Sequence, residues 1–594
     1  MRLPGARDKY VALVAIDPNR LTPVPSRRIP SRAVVRLLLL VIVLMTFGRT
    51  LLNDFVDWDD GTLIYNNPNI TGATLHGLAR QWNWRDPNNF GLYDPLVYTT
   101  WWVLAHAGRL QTPDSLGASL NPQVFHAANL IVHWLSGCVA FEILSLIGLG
   151  RWPGFLGTLL FLVHPLQTEA VAWATGLKDL LGGLLVLACV WRYLVAIRAR
   201  GLKRRSNYLA ATILCACALL AKPSAAALPL IVFAFERVLY QQPLKQSLIW
   251  LSPWLVMSIV AAAITVSIQP VSRFAYAPWW GRPLIMGESL AFYLGKIVWP
   301  IHLNFDYGRT PNVMLHEPGI YWNWIFPAIL ALVVWRMRQP VLTVAALIFL
   351  FSVLPVLGLV PFFYQYYSTV ADRYVYVSMF GVGMAAAVFL TRYSSALIWF
   401  PAGGVLVILM CLSFLQAGRW KDTETLYSYG MSINQITAGH YETIAEYKEK
   451  EASLALRHRD MAVDEHKAFD AHTQDMVFRD DLRHAVDYRR REIACNPMDS
   501  TGHDQLAIDL DQLGDHQAAI DMTRHWLADQ SSLPVDQRDD AGNLHALLGQ
   551  FYFDANDYPQ SVREFKKSLA LEPDLRIEVA LQAATAKMQA ASQP

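Results

Sequence analysis

The residues best suited to chemistry in this 594-residue chain stand in a short loop after its first apolar run. The segment Phe55-Val-Asp-Trp-Asp-Asp-Gly-Thr-Leu-Ile-Tyr-Asn-Asn-Pro places Asp59 and Asp60 beside Trp58. Partial loss of water and mutual repulsion at a membrane surface raise one carboxyl pKa and favour proton abstraction. Adjacent acids in a loop are equally ordinary as solvated turn residues. A second group is Phe125-His126-x-x-Asn129-x-x-x-His133, whose spacing puts three polar side chains on one face of a helix entering the bilayer. There they serve either helix-to-helix hydrogen bonding or a pocket. A third is His164-Pro165-x-x-x-Glu169 followed by Lys178-Asp179, a mixture of ionisable groups at the end of a helical hairpin. Lys222, Arg273, Arg282 and Arg373 add cations on the same face, and cations beneath a membrane surface suit a lipid phosphate.

The elements that must position these groups follow from composition. The chain is 54% hydrophobic and only 16% charged, which excludes disorder and a wholly soluble protein. Of its Asp, Glu, Lys and Arg residues, 49 lie in 1–420 and 49 in 421–594. A lipid-solvated part therefore precedes a water-solvated one. The net charge of +2 and the lack of a basic patch argue against nucleic acid as a partner. Five of the six cysteines lie in apolar runs, so no disulfide framework is expected.

A bilayer core needs roughly 20 apolar residues per helix. Runs at 34–52, 124–149, 152–173, 179–197, 207–221, 223–240, 247–268, 320–335, 341–360, 374–391 and 396–417 give about eleven spans. The first run follows a basic tail, 1–33, and has no small-residue cleavage site after it, so it reads as an anchor and not as a signal peptide. Lys and Arg collect in that tail and in 192–205, which places both in the cytoplasm. Parity between these two anchors makes 96–108 non-spanning, and 284–301 reads as re-entrant or surface-lying. The loop 53–123 and everything after about 418 then share the outer face, with the candidate residues. The transmembrane domain spans 34–418. The remainder, 419–594, is a helical repeat domain: Pro497, Pro534 and Pro573 recur near the tetratricopeptide period, and 541–573 carries Leu548-Gly549, Phe551, Tyr558, Phe565 and Leu569 at the packing positions. The charged stretch 440–494 is expected to hold one or two degenerate repeats. Such arrays bind extended peptide or pack on a neighbour.

Trp58-Asp59-Asp60 with Asn66-Asn67, then the His126/His133 helix, then His164-Pro165-x-x-x-Glu169-Ala-Val-Ala and Asp179, then Ala371-Asp372-Arg373-Tyr374 and a repeat tail occur in one order. That order resembles the transmembrane and tetratricopeptide-repeat O-mannosyltransferases and their bacterial relatives, in the type-C glycosyltransferase group. The resemblance covers about 50–575. It implies an all-α polytopic helix bundle with an α-solenoid, transferring a sugar from a polyprenyl-phosphate donor to an acceptor hydroxyl with inversion. Carried onto this chain, Asp59 or Asp60 is the base, with Asp59 favoured and Asp60 orienting it. His126, His133, His164, Glu169 and Asp179 shape the acceptor or sugar pocket, and Lys222, Arg373, Arg273 and Arg282 hold the donor phosphate. No metal ligand set is assigned and no cofactor beyond the donor lipid. The partners implied are the bilayer, the lipid-linked donor and a protein or glycan acceptor, with the repeats in the periplasm or the endoplasmic-reticulum lumen. Lys178 before Asp179 departs from the eukaryotic Arg-Ala-Asp pattern and looks more like the bacterial branch. Two other readings compete: a lipid-linked oligosaccharide ligase or polymerase, and a non-enzymatic scaffold anchored in the membrane.

Overall fold

The computed structural model describes residues 31–112, 119–269, 277–393, 395–433, 438–464, 468–495, 497, 500–530 and 540–591. Arg273, Pro534 and residues 1–30 of the basic tail lie outside them. The chain forms two compact units, Met1–Gln435 and Ile436–Pro594. Among the described residues both are helical, with one isolated antiparallel bridge, Arg109 to Leu120.

The first unit runs α1 (Arg32–Phe47), α2 (Pro95–Ala107), α3 (Pro122–Leu146), α4 (Arg151–Val163), α5 (Thr168–Ala172), α6 (Leu177–Arg198), α7 (Gly201–Ala221) and α8 (Leu228–Ala234). It continues with α9 (Leu244–Ile268), α10 (Arg282–Val298), α11 (Ile325–Met337), α12 (Pro340–Val353), α13 (Ser378–Arg392), α14 (Ala396–Ala417) and α15 (Thr423–Ser432). Helix starts follow local chemistry. Pro122 at the first position of α3 sits behind Asn121, whose side chain accepts from the Gln123 amide at 2.9 Å.

Among the described residues, six helices are long and apolar enough to cross a membrane, and seven if the bent pair Arg151–Val163 with Pro165–Ala172 is one span. Val256, Ile259 and Val260 of α9 are exposed, a surface that lipid tolerates and water does not. These are the features of a multi-pass membrane protein. The other expected runs are shorter or interrupted for visible reasons. The charged start of α7, Lys203-Arg204-Arg205, leaves its apolar part short. Residues 223–240 break into a 3-10 turn at Pro223, α8 and a π-helical turn from Phe235. Pro355 ends α12 in a 3-10 turn, and α13 begins only at Ser378.

Two glycines set a close crossing of α4 and α13. A Cβ on Gly157 of α4 would collide with the Gly383 carbonyl of α13, and one on Gly383 with the Gly157 carbonyl. Such small-residue contacts let membrane helices approach without an apolar driving force.

The second unit is a stack of α16 (Ala438–Asp464), α17 (Ala468–Cys495), α18 (Ser500–Gln512), α19 (His516–Gln530), α20 (Ala541–Asp554), α21 (Tyr558–Leu571) and α22 (Leu575–Ala591). Each helix packs on the next, and α20 also touches α18 and α22. Within the α20–α21 pair, Gly549 lies so close to the Phe565 ring that a Cβ would enter it. Leu548 and Phe551 join the core under α18 and α19. The stretch expected to hold one or two degenerate repeats is one hairpin of 27- and 28-residue helices, about twice the length of α20 and α21. Neither long helix contains proline, so nothing stops it at repeat length.

Gly157→Leu should lower the thermal unfolding midpoint of the purified protein, at an overpacking cost of about 1–3 kcal/mol. Gly403→Leu, on α14 where a Cβ meets nothing within 4 Å, should not. Equal effects of the two variants would contradict the close-crossing role.

Candidate active site

The site begins with a broken helix. Pro165 has no amide hydrogen and stops α4 at Val163, and the chain resumes as α5 at an angle of 54°. The break strips the last carbonyls of α4 of their helical partners, a cost lipid does not relieve. Side chains supply the donors: Gln167 Nε2 to the Phe161 oxygen at 2.8 Å, His133 Nε2 to Leu162 at 3.0 Å, and Ser413 Oγ to Val163 at 2.7 Å. Further along, Asn129 Nδ2 donates to the Trp173 carbonyl at 2.7 Å.

This assigns the polar face of α3 a structural task. His133 is fully buried, and because a carbonyl can only accept, its Nε2 carries the proton while Nδ1 accepts from the Tyr376 hydroxyl at 3.0 Å. His126 Nε2 meets the Asp54 carbonyl at 3.3 Å. His164 Nδ1 accepts from the Leu166 amide at 3.2 Å and its Nε2 donates to the Ile297 carbonyl at 3.1 Å. The three histidines, expected as pocket residues, each hold a backbone carbonyl here. Glu169, expected beside them, is buried with Oε2 accepting from the Arg373 amide at 2.8 Å and Oε1 paired with the Arg373 guanidinium.

The acidic loop is fixed against two distant segments. Asn53 Nδ2 donates to the Trp420 carbonyl at 2.8 Å, the Asp54 amide to Lys421 at 2.7 Å, and the Asp57 amide to Thr423 Oγ1 at 2.9 Å. Trp58 packs edge-on against Phe305 and Tyr367, each with ring centroids 5.1 Å away. The two adjacent carboxylates then diverge. Asp60 is fully buried and accepts from the Val56 amide at 2.9 Å, the Thr175 amide at 2.9 Å and the Thr175 hydroxyl at 2.5 Å. Burial pushes its carboxyl from 3.8 up to about 7, against the downward pull of those hydrogen bonds. Asp59 has a side chain 40% exposed and lies 3.6 Å from Lys178 Nζ. One acid ties the loop to the 173–176 turn, and the other faces solvent beside a cation.

Three cation–carboxylate pairs gather at this end of the bundle: Lys178 with Asp59, Lys222 with Asp179, and Arg373 with Glu169. Asp179, Lys222, Ser224, Arg373, Tyr374 and Tyr376 line a cavity of about 40 Å³. A water needs about 10–15 Å³ on this measure, so the space suits a group of phosphate size. Gly182 allows the approach, since a Cβ there would stand 3.0 Å from Lys222 Cβ. Arg373 is also stacked on the Tyr364 ring at 4.2 Å, which fixes its orientation. Arg282 does not join this cavity; its Nη1 donates to the Gly358 carbonyl at 3.1 Å and to Gln365 Oε1 at 3.2 Å. No group of three or more His, Cys, Asp or Glu that could hold a metal occurs among the described residues.

Sequence reasoning gave no role to Lys178, Thr175 or Asp94. Lys178 stood in view beside Asp179, but its pairing with Asp59 spans 119 positions and has no local pattern. Asp94 begins the aromatic helix α2 immediately before Pro95, the same signal of an acid at an apolar boundary that singled out Asp59.

Because native Asp60 keeps its proton up to about pH 7 and an unfolded Asp loses it near 3.8, the native state binds the extra proton between these values. The carboxyl's contribution to stability therefore falls as pH rises from about 4 to 7 and is level above that. Asp60→Asn should flatten this part of the thermal-unfolding profile. An unchanged slope in the variant would count against a buried, proton-retaining Asp60.

Comparison with known proteins agrees with the family resemblance. The chain is 32% identical over 156 residues to the human protein O-mannosyl-transferase TMTC1, covering 25% of this chain and 16% of that protein. It is 24% identical over 445 residues to a Caenorhabditis elegans protein O-mannosyl-transferase, covering 72% of this chain and 61% of that protein. The mouse protein O-mannosyl-transferase TMTC4 is 27% identical over 213 residues, 33% of this chain and 27% of the relative. The chain thus matches less than two thirds of the length of each of these relatives. No family model matches it.

Proposed function

We propose that the first unit is a membrane glycosyltransferase that moves a single sugar, with mannose favoured by the relatives, from a polyprenyl-phosphate donor to an acceptor hydroxyl. The observation that carries this reading is the pairing of a solvent-facing acid, Asp59 beside Lys178, with a phosphate-sized cavity lined by Lys222 and Arg373 at the same end of the bundle. The small cavity favours a monosaccharide donor over the oligosaccharide of a ligase. A bare scaffold has no need of four acids and three cations sharing one end of a membrane bundle.

In the proposed reaction Asp59 accepts the acceptor's hydroxyl proton. Lys178 Nζ, 3.6 Å away, sets an opposite charge beside it. The acceptor oxygen attacks the anomeric carbon from the face opposite the phosphate, so the new carbon–oxygen bond forms as the bond to phosphate breaks and the configuration inverts. The leaving polyprenyl phosphate gains negative charge, which Lys222 and Arg373 stabilise. Arg373 acts here through fixed orientation, because Glu169 already neutralises part of its charge. Asp60 is a positioning residue: it holds the loop that carries Asp59 onto the turn preceding Lys178. The orientation expected from the Lys and Arg distribution puts this end of the bundle and the repeat unit outside the cytoplasm. The repeats then share a compartment with a protein acceptor.

Asp59→Asn should lower the rate of sugar transfer by about 10²- to 10⁴-fold while binding of polyprenyl phosphate is retained. Lys222→Ala should instead weaken that binding. Full transfer activity in an Asp59→Asn, Asp60→Asn double variant would refute the assignment.

A further inference from the structure

Asp94 is an acid of this region that the proposed reaction leaves idle. It is buried, 4% exposed, and its Oδ1 has no hydrogen-bond partner. It occupies the position before α2 where an Asp ordinarily caps its own helix, yet its side chain makes no capping bond. Its backbone carbonyl alone begins the helix, accepting from the Val97 amide at 2.9 Å. Tyr98 and Trp101 of α2 share a core with Ala174, Leu177 and Ala221, the residues flanking Lys178 and Lys222. The charges of Lys178, Lys222 and Asp179 accordingly act on Asp94, and Tyr98 feels both Asp94 and Asp59. Burial raises the Asp94 carboxyl from 3.8 to about 6, against the downward pull of Lys178 and Lys222.

A buried carboxylate oxygen without a partner is costly and calls for a donor. A bare phosphate held by Lys222 offers none and would repel it. A ligand that satisfies both groups carries phosphate oxygens for the cations and hydroxyl hydrogens for the acid, and a glycosyl phosphate has that combination. We propose that Asp94 recognises a hydroxyl of the donor's sugar, making it the residue by which the site distinguishes a sugar-bearing lipid phosphate from the spent one. This rests on the glycosyltransferase reading and extends it. Product release follows from the same arrangement: once the sugar has left, Asp94 loses its donor and repels the remaining phosphate.

The test measures binding of polyprenyl phosphate and of polyprenyl-phosphate-mannose to the full chain in detergent, for the native protein and Asp94→Asn. The native protein should prefer the mannose-bearing lipid by about 10- to 100-fold, the range for a hydrogen bond to a charged group. Asp94→Asn should shrink that preference and hold the bare phosphate as tightly as before or more tightly. A merely structural residue would weaken both ligands together, and that outcome, or no preference in the native protein, overturns the proposal. If Asp94→Asn fails to fold, a series of deoxymannose lipids on the native protein decides it: one analogue should lose most of the preference, and uniform binding across the series overturns the inference. A native protein that shows the preference but transfers sugar to no acceptor defeats the catalytic reading alone. Unchanged preference in an active Asp94→Asn enzyme defeats only this inference.

Discussion

The constraint on which the first unit depends is that a broken, buried helix must have its freed carbonyls satisfied by protein. Pro165 breaks one, and the three carbonyls it frees at Phe161, Leu162 and Val163 are met by Gln167, His133 and Ser413. These donors come from the broken segment itself, from α3 and from α14, so the break ties three parts of the bundle together. Losing one donor would leave a buried acceptor without a partner, worth about 1–3 kcal/mol. The reward for the break is geometric. An unbroken α4–α5 helix could not turn Glu169 toward Arg373 and then present Thr175 to Asp60 within the next six residues.

Electrostatics builds on that frame. Glu169 and Arg373 form a buried pair, where removing either partner would strand a charge at a cost of about 3–5 kcal/mol. Lys222 with Asp179 and Lys178 with Asp59 are more open, the cations being 21% and 14% exposed at the side chain. The three pairs thus grade from closed to open, the Glu169–Arg373 pair sealed and the two lysines partly in reach of solvent. Asp60 and Asp59 repeat the division within two adjacent residues, one sealed by three hydrogen bonds and one facing solvent.

Much of this was legible in the sequence, for reasons that particular residues explain. The apolar runs set the helices, because backbone satisfaction in lipid leaves little else for them to do. The spacing of His126, Asn129 and His133 placed them on one face, and polar groups on a membrane helix do need partners. What the spacing could not say was which partners they take: the carbonyls of Asp54, Trp173 and Leu162 and the Tyr376 hydroxyl. The same limit applied to Arg282, which reads as a phosphate ligand by charge and location but is occupied by Gly358 and Gln365. In the repeat unit the glycine-to-phenylalanine contact at Gly549 and Phe565 was visible as a motif, whereas the long α16–α17 hairpin was hidden by a composition that fits helices of any length.

By itself, then, the sequence determined the helical class, the membrane-crossing runs, the polar faces and the set of ionisable residues from which a site could be made. These are properties of residues within a few turns of one another, and periodicity encodes them. The tertiary structure alone decided which of those residues are spent on holding backbone and which remain open to a ligand. Asp60 meets Thr175 across 115 positions and Glu169 meets Arg373 across 204. Burial and partnership at such separations arise only when distant segments close on one another, so two neighbouring aspartates of identical chemistry end in opposite environments.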